Sequence, residues 1–533
     1  MSAQTVSHAA GVRPISRPIR TEVVLLAGLV GLTLISRLVF ASHTLYHFDS
    51  VNFALALEHY DVRIDQPQVP GYILYVWIGQ LFNGVVHDPN AAYTWLSVVG
   101  SALAVAAMWA LGRTIFGPAA GWAAALLLAS SPLFWFYGEI ALPHSLDLLG
   151  VSVSVWLLYE IRQGRAERLP WAAIALGLSG GLRPQTLVFL APLILFSVWR
   201  APRKRLGLAM LLLGAVCLAW LAPLLISVGG LGAYLQLMAA FSSAYQDSTS
   251  IFRGAGLWGL SRNAVKLAQY AAYAWGAGLI PIGLWLVSRF RPRQYGQNRR
   301  SAPSGLRTWF GPSRERFWFI VIWGAPALGF YTLIHMGQQG LVFVFLPALL
   351  LMSAEACVEV SRRLGRRALH VIVMSMVALN ALVFVFAPEF PMGSDSVKLL
   401  TRATIERQDR DMQARVDAIR TTYAPNQAIL IAAQWRHVEY YLPEFKTIRF
   451  GLVNRWEREG GLPVARPGDE RVYRLDDLQL ETRGATIVLF DPELAAYVAD
   501  PASISDGPLL TMPWTPDRVL WIAPDGFGLK SRS

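Results

Sequence analysis

Cysteine is almost missing from this chain: among 533 residues there are two, Cys217 and Cys357, and both lie inside apolar runs. That excludes a disulfide framework and any CxxC metal or redox site. Charge is scarce as well. Asp, Glu, Lys and Arg make up 15% of the residues against 54% hydrophobic, too little charge for a soluble enzyme of this length. There is no GxxxxGK[ST], no GxGxxG after a strand and no HExxH, so nucleotide-driven transport and zinc proteolysis lack their motifs. Internal repeats and long low-complexity segments are absent too. After Ala387 no apolar stretch is long enough to cross a bilayer.

What is present is a series of apolar runs from Val23 to Ala387, each close to the roughly 20 residues that a helix needs to cross hydrocarbon. Nineteen Trp and eighteen Tyr suit a protein with two membrane interfaces to anchor. The net charge of +12 does not point to nucleic acid, because Lys and Arg gather in short clusters between the apolar runs rather than along one polar face. Topology explains them. Spans are expected near 22–41, 92–112, 119–137, 147–161, 170–182, 185–199, 206–228, 264–289, 316–335, 340–361 and 368–387. The first follows Arg13, Arg17 and Arg20, is too long for a signal h-region and is read as uncleaved. Segment 70–83 is apolar but short, and runs of about 10–14 residues rarely cross a bilayer. Read as interfacial, it leaves the basic clusters Arg13–Arg20, Arg113, Arg162–Arg168, Arg200–Arg205, Arg289–Arg316 and Arg362–Arg367 all on the cytoplasmic side, as the positive-inside rule requires.

The expected organisation is therefore a cytoplasmic segment 1–21, a polytopic α-helical membrane domain 22–387 of about eleven spans, and an extracytoplasmic domain 388–533. Outer loops fall at 42–91, 138–146 and 229–263, and Arg291–Ser313 is a basic cytoplasmic linker. In the tail, a helix near Val397–Thr422 and strand-like runs at Ile429–Ala433, Thr486–Phe490 and Val519–Ile522 predict a small α/β domain.

The first outer loop opens with His47-Phe48-Asp49-Ser50, continues into a helix-like Val51–Tyr60, and ends in Asp65-Gln66-Pro67-Gln68-Val69-Pro70-Gly71-Tyr72. An acid just beyond the first span, a loop helix and a Pro-rich turn closing on Gly-Tyr resemble the GT-C superfamily of membrane glycosyltransferases. The likeness is to protein O-mannosyltransferases and to the transferases that place aminoarabinose on lipid A. It continues through Leu81-Phe82-Asn83, Phe136-Tyr137-Gly138-Glu139, Asp147 and Gly180-Gly181-Leu182-Arg183, covering the first 200 or so residues well, the later spans by hydropathy alone and the tail hardly at all.

The resemblance implies that Asp49 is the catalytic carboxylate. The chemistry suits the residue type, since an acceptor hydroxyl that attacks an anomeric carbon must give up its proton. Asp49 also suits an N-cap of the following helix, and the two roles are compatible. Asp65 stands where similar enzymes carry an acid followed by a cation, although Gln66 replaces that cation here; the alternative is a solvated turn acid. Glu139 and Asp147 are further carboxylates close to hydrocarbon, where ionisable groups are expensive and serve a purpose. Glu139 is the catalytic candidate of the two, and Asp147 is placed with Tyr72 at the substrate. A lipid-phosphate leaving group needs cations, and arginine offers paired donors. Arg183, between two apolar runs at the outer end, is the first choice, with a structural arginine as the alternative. Arg253 is the second, and Arg37 reads as snorkelling to the interface. His43 and His47 have helical i, i+4 spacing, but with no third ligand nearby they do not make a metal site.

The resulting expectation is an inverting transferase that moves a sugar from a polyprenyl-phosphate donor to an acceptor hydroxyl on the extracytoplasmic face of a cell membrane, most naturally the bacterial inner membrane, with no cofactor. The polyprenyl phosphate follows from the resemblance alone. A protein, a glycolipid and a polysaccharide are all open as the acceptor. The rival class is a polytopic transporter or flippase, although transporters commonly carry paired repeats and broken helices with midplane charges.

Overall fold

The computed structural model of the protein describes residues 19–247, 249–290, 314–391, 398–450, 471–473, 485–505, 507–523 and 526–531. Arg13, Arg17 and the linker Arg291–Ser313 lie outside the described residues. All eleven expected spans are helical, as α1 (Ile19–Val39), α4 (Pro89–Phe116), α5 and α6 (Pro118–Ser130, Pro132–Tyr137), α7 (His144–Arg162), α8 (Leu169–Leu182), α9 (Pro184–Val198), α10 (Arg203–Val228), α12 and α13 (Gly256–Trp275, Leu279–Phe290), α14 (Arg314–Leu333), α15 (Leu346–Leu364) and α16 (Arg366–Phe386). Between them lie α2 (Phe48–Glu58), α3 (Ile73–Val86) and α11 (Leu231–Gln246). Among the described residues, five helices are by themselves long and apolar enough to cross a bilayer, within α1, α4, α10, α14 and α16. Their exposed faces carry Leu32, Leu211, Ile226 and Leu382, as lipid contact requires.

Three expected spans are not single α-helices. The run 119–137 breaks at Ser131-Pro132, because proline lacks the N–H that would continue the helical ladder. The run 264–289 breaks at Gly276, whose φ of 55° leaves the helical region and where an added Cβ would lie 2.5 Å from Asn380 Oδ1. The run 340–361 starts as a 3-10 turn, Gln339–Val344, before α15.

The bundle has two distinguishable ends. At one, Arg113 pairs with Glu22, Arg162 with Glu315 at 2.5 Å, and Arg316 lies over the Phe116 ring. Glu355 is within electrostatic reach of Arg362 and Arg316. Helices α4 and α7 run side by side in the same direction, since Ser97 Oγ donates to Leu142 O (3.0 Å) near their starts and Trp156 Nε1 to Thr114 Oγ1 (3.1 Å) further along. Their starts therefore mark the opposite end, where Asn90 Nδ2 donates to Ser42 O (2.8 Å). The chain leaves α1 and enters α4 at this same end. Segment 70–83, which becomes α3, thus returns to the end it came from.

The tail begins with β1 (Phe390–Pro391) and β2 (Lys398–Leu399), which pair antiparallel, followed by α17 (Arg402–Thr422). A four-stranded sheet follows in the order β4-β3-β6-β7: β3 (Ala428–Ala432) pairs parallel with β4 (Lys446–Arg449) and β6 (Thr486–Leu489), and β7 (Leu510–Pro513) closes it antiparallel. Helix α18 (Trp435–Tyr441) links β3 to β4. A three-stranded antiparallel sheet holds β5 (Arg471–Tyr473), β8 (Arg518–Ala523) and β9 (Gly526–Ser531). Strand β3 is buried at every position, as a central parallel strand covered on both faces should be. The polytopic helical membrane fold with a small C-terminal α/β domain is the observed architecture.

Candidate functional site

Asp49 is not the cap of the loop helix. The N-cap of α2 is His47, whose Nδ1 accepts the Asp49 backbone N–H at 3.0 Å. That bond leaves the imidazole proton of a neutral His47 on Nε2. The Asp49 carboxylate is then released from capping and is taken up elsewhere. Gln338 Nε2 donates to Asp49 Oδ2 at 2.5 Å. Gln338 lies between α14 and α15 in Gly337-Gln338-Gln339-Gly340. This segment is fastened at both sides: Asn263 Oδ1 accepts from Met336 N (3.3 Å), and Gln339 Nε2 donates to Lys398 O (2.8 Å). A Cβ at Gly340 would meet His144 Cδ2 at 2.3 Å, so only glycine allows this approach.

Tyr72 follows two cis prolyl bonds, Gln66–Pro67 and Val69–Pro70. The turn is braced by Tyr60 Oη donating to Gly71 O (2.8 Å) and Tyr234 Oη to Pro70 O (3.1 Å). Tyr72 itself sits in the left-handed region at φ 40°, ψ 39°, a conformation that costs a bulky residue free energy and tends to persist at functional positions. Its phenol lies within electrostatic reach of Arg183, Asp49, Asp147 and Tyr331, and burial pushes its pKa up to about 12. It therefore remains a hydrogen-bond donor throughout the physiological range.

Arg183 stands in extended backbone (φ −155°, ψ 100°) between α8 and α9. Pro184 dictates this, because a residue before proline is pushed out of the helical region. Its guanidinium is buried against Asp147, with Nη1 to Oδ2 at 3.1 Å, and Thr186 Oγ1 donates to Asp147 Oδ1 at 2.6 Å. The Tyr331 phenol interacts with the same guanidinium, and among the described residues the buried Arg183 Nε has no acceptor. The structure thus groups Asp49, Tyr72, Asp147 and Arg183 from the sequence-derived candidates, and adds His47, Tyr137, His144, Thr186, Tyr331 and Gln338. Tyr137 lies within reach of Asp49, and His144 within reach of Arg183 and His47.

The other candidates stand apart from this group. Glu139 is fully buried, and its charged neighbours are Arg37 and Arg402. Arg37 does not snorkel: it is 1% exposed, donates to Ala129 O at 2.6 Å and lies 4.5 Å over the Trp135 ring. The ring, the carbonyl and the Glu139 carboxylate turn it inward. Asp65 occupies a left-handed position (φ 59°) in the turn after Val62–Ile64. Arg253 is half-exposed and faces Asp247 at 3.4 Å. His43 and His47 precede α2 rather than lying on a helix, so they share no helical face. Among the described residues no group of three or more His, Cys, Asp and Glu is placed to hold a metal.

The family model for dolichyl-phosphate-mannose-protein mannosyltransferases matches residues 65–226. A search of curated proteins finds no match. Among solved structures, ArnT from Cupriavidus metallidurans bound to undecaprenyl phosphate is similar with a TM-score of 0.56 at 11% identity, covering 93% of this chain and 98% of that one. The same protein in the apo state gives 0.55 at 12% identity over the same shares. These matches bear out the GT-C resemblance read in the first loop. The likeness of fold also reaches past the first 200 residues, through the later helices and into the tail.

Proposed function

We propose that this chain is an inverting glycosyltransferase that takes a sugar from a polyprenyl-phosphate donor, entered laterally from the membrane, and passes it to an acceptor hydroxyl. The acceptor oxygen attacks the anomeric carbon while the bond from that carbon to the phosphate oxygen breaks. The hydroxyl proton goes to Asp49 and polyprenyl monophosphate leaves. A single displacement of this kind inverts the anomeric centre. The observation that carries the reading is a carboxylate held by a neutral amide and a buried arginine that share Tyr72 as a neighbour: Asp49 is fixed by Gln338, Tyr72 lies within electrostatic reach of both, and among the described residues Arg183 Nε has no acceptor. A base and an anion-binding donor are the two groups this displacement needs. A protein of the same fold solved with undecaprenyl phosphate supports the choice of donor.

In this reading Arg183 and Tyr72 hold the leaving phosphate, and Asp147 orients Arg183 while balancing its charge. We assign Asp65, in the turn before Tyr72, to acceptor positioning, and Glu139 to the Arg37 pair. Arg253, in the segment between α11 and α12, is assigned to donor approach. The end of the bundle bearing Asp49 and the tail faces away from the cytoplasm, in agreement with the basic residues at the opposite end.

The test is to incubate the purified full chain with radiolabelled undecaprenyl-phosphate sugars and a membrane extract as acceptor source. Label in a new product, with stoichiometric undecaprenyl phosphate released, is the expected result. Label crossing a proteoliposome membrane with no new bond would replace the transferase by a transporter.

A further inference from the structure

The backbone of residues 43–45, just before Asp49, is held by the tail, while Ser42 N–H and C=O are bonded to Glu139 O and Asn90 Nδ2 of the helical domain. Asp409, on α17, accepts from Ser42 Oγ (2.8 Å), Thr44 N (2.9 Å) and Thr44 Oγ1 (2.6 Å) through Oδ1, and from His43 N (2.8 Å) through Oδ2. Leu45 N donates to Tyr441 Oη (2.9 Å), and His437 Nε2 donates to Leu45 O (2.9 Å). His437 is buried, which drives its pKa down to about 4, so it donates as a neutral imidazole. Further along, Phe48 packs edge-on against Trp435 at 5.2 Å and Arg436 donates to Ile64 O. Helix α18, which supplies these groups, is itself set by Asp491, whose Oδ2 accepts from Ala433 N (2.6 Å) and Gln434 N (2.9 Å).

We propose that the C-terminal domain is the template that sets the conformation of the 42–49 loop, and that Asp409 is a positioning residue for Asp49. The inference rests on the transferase reading only for its catalytic consequence. The structural part stands on the bonds themselves. A loop of seven or so residues has few contacts of its own, and fixing its conformation costs backbone entropy at every ordered residue. Four hydrogen bonds to one carboxylate, charge-assisted and therefore stronger than neutral ones, offset that cost where the backbone must aim Asp49. Removing them loosens the carboxylate without altering the donor's contacts with Arg183 and Tyr72.

The experiment uses the full chain in nanodiscs as wild type, Asp409→Asn, Asp409→Ala and, as a control on the exposed face of α17, Asp417→Asn. Amide exchange of residues 42–50 is expected to quicken about tenfold or more in Asp409→Ala, while exchange in the cores of α4 and α17 is unchanged. Asp409→Asn should fall between, because the amide keeps one accepting oxygen but turns an NH2 toward a backbone donor. With a radiolabelled undecaprenyl-phosphate sugar that the wild type turns over, kcat should fall about tenfold in Asp409→Ala at unchanged KM for the donor. Unchanged exchange at 42–50, or a loosened loop with unaltered kcat, would overturn the proposal. If the wild type turned over no donor, the transferase reading would fall, and the exchange result alone would decide whether the tail templates the loop. If Asp409→Ala failed to fold, the graded Asp409→Asn would carry the same comparison.

Discussion

Removing the charge of Asp147 while keeping its shape isolates what Arg183 is for. In Asp147→Asn, Oδ1 can still accept from Thr186, but the guanidinium loses its counter-charge. The pair is buried on both sides, 7% and 1% exposed, so solvent does little to screen the loss. Breaking such a pair by deleting one partner costs about 3–5 kcal/mol, because the remaining charge is buried alone. A phosphate bound at Arg183 Nε and the vacated Nη1 would restore the balance. Undecaprenyl phosphate is therefore expected to raise the melting temperature of Asp147→Asn by more than it raises that of wild type, measured by intrinsic fluorescence in detergent. In Asp147→Asn with Arg183→Met the uncompensated charge is gone. This double variant should regain most of the lost stability, yet show no response to the lipid. Equal shifts with undecaprenyl phosphate in all three proteins would refute the assignment of Arg183 as the phosphate ligand.

Arg183→Ala should weaken donor use more than Arg183→Lys, since lysine keeps a point charge but loses the planar fork; KM for the labelled donor in both variants checks this. Gln338→Ala should lower kcat about tenfold by freeing the Asp49 carboxylate. Gln338→Glu would place a second carboxylate against it, and two such groups resist ionising together, so its pH–rate profile should lose its acid side and recover as pH rises. For sidedness, single cysteines in a background lacking Cys217 and Cys357 provide the test. One at the exposed His87 should react with an impermeant maleimide in intact cells, and one at the exposed loop residue Gly164 only after permeabilisation.

The helical membrane domain and the α/β tail were legible from the lengths of the apolar runs and their end at Ala387, and the four candidates that the structure groups were legible because polar groups near hydrocarbon stand out. Asp49, Tyr72, Asp147 and Arg183 interrupt apolar sequence, and the cost of placing them there marks them. Gln338 was not legible. It is uncharged, and its meaning lies in a contact with a residue 289 positions away. The Gly337–Gly340 motif, two glutamines between glycines at the start of an apolar run, was the available signal. Aspartate is the commoner cap, but the helix starts two residues before the Asp49 reading would have it, at Phe48, and the His47 imidazole accepts the N–H of Asp49 itself. Arg37 illustrates a similar limit: whether a helix-end arginine snorkels or turns inward depends on a ring and a carbonyl supplied by α5 and α6. The broken spans were hidden by the apolar character that continues on both sides of Pro132 and Gly276.

If Asp49 is the base for transfer from a lipid-linked sugar, the transfer rate of purified Asp49→Asn beside wild type reports its loss. Asn keeps the size of the side chain and one acceptor for Gln338 but cannot take a proton. The variant is expected to fold, to melt near the wild-type temperature and to bind undecaprenyl phosphate, while transfer falls at least about 100-fold, the scale of lost general-base assistance. Asp49→Glu should recover little of it, because the longer reach misplaces the oxygen. A well-folded Asp49→Asn protein that transfers sugar at close to the wild-type rate would remove Asp49 from the mechanism.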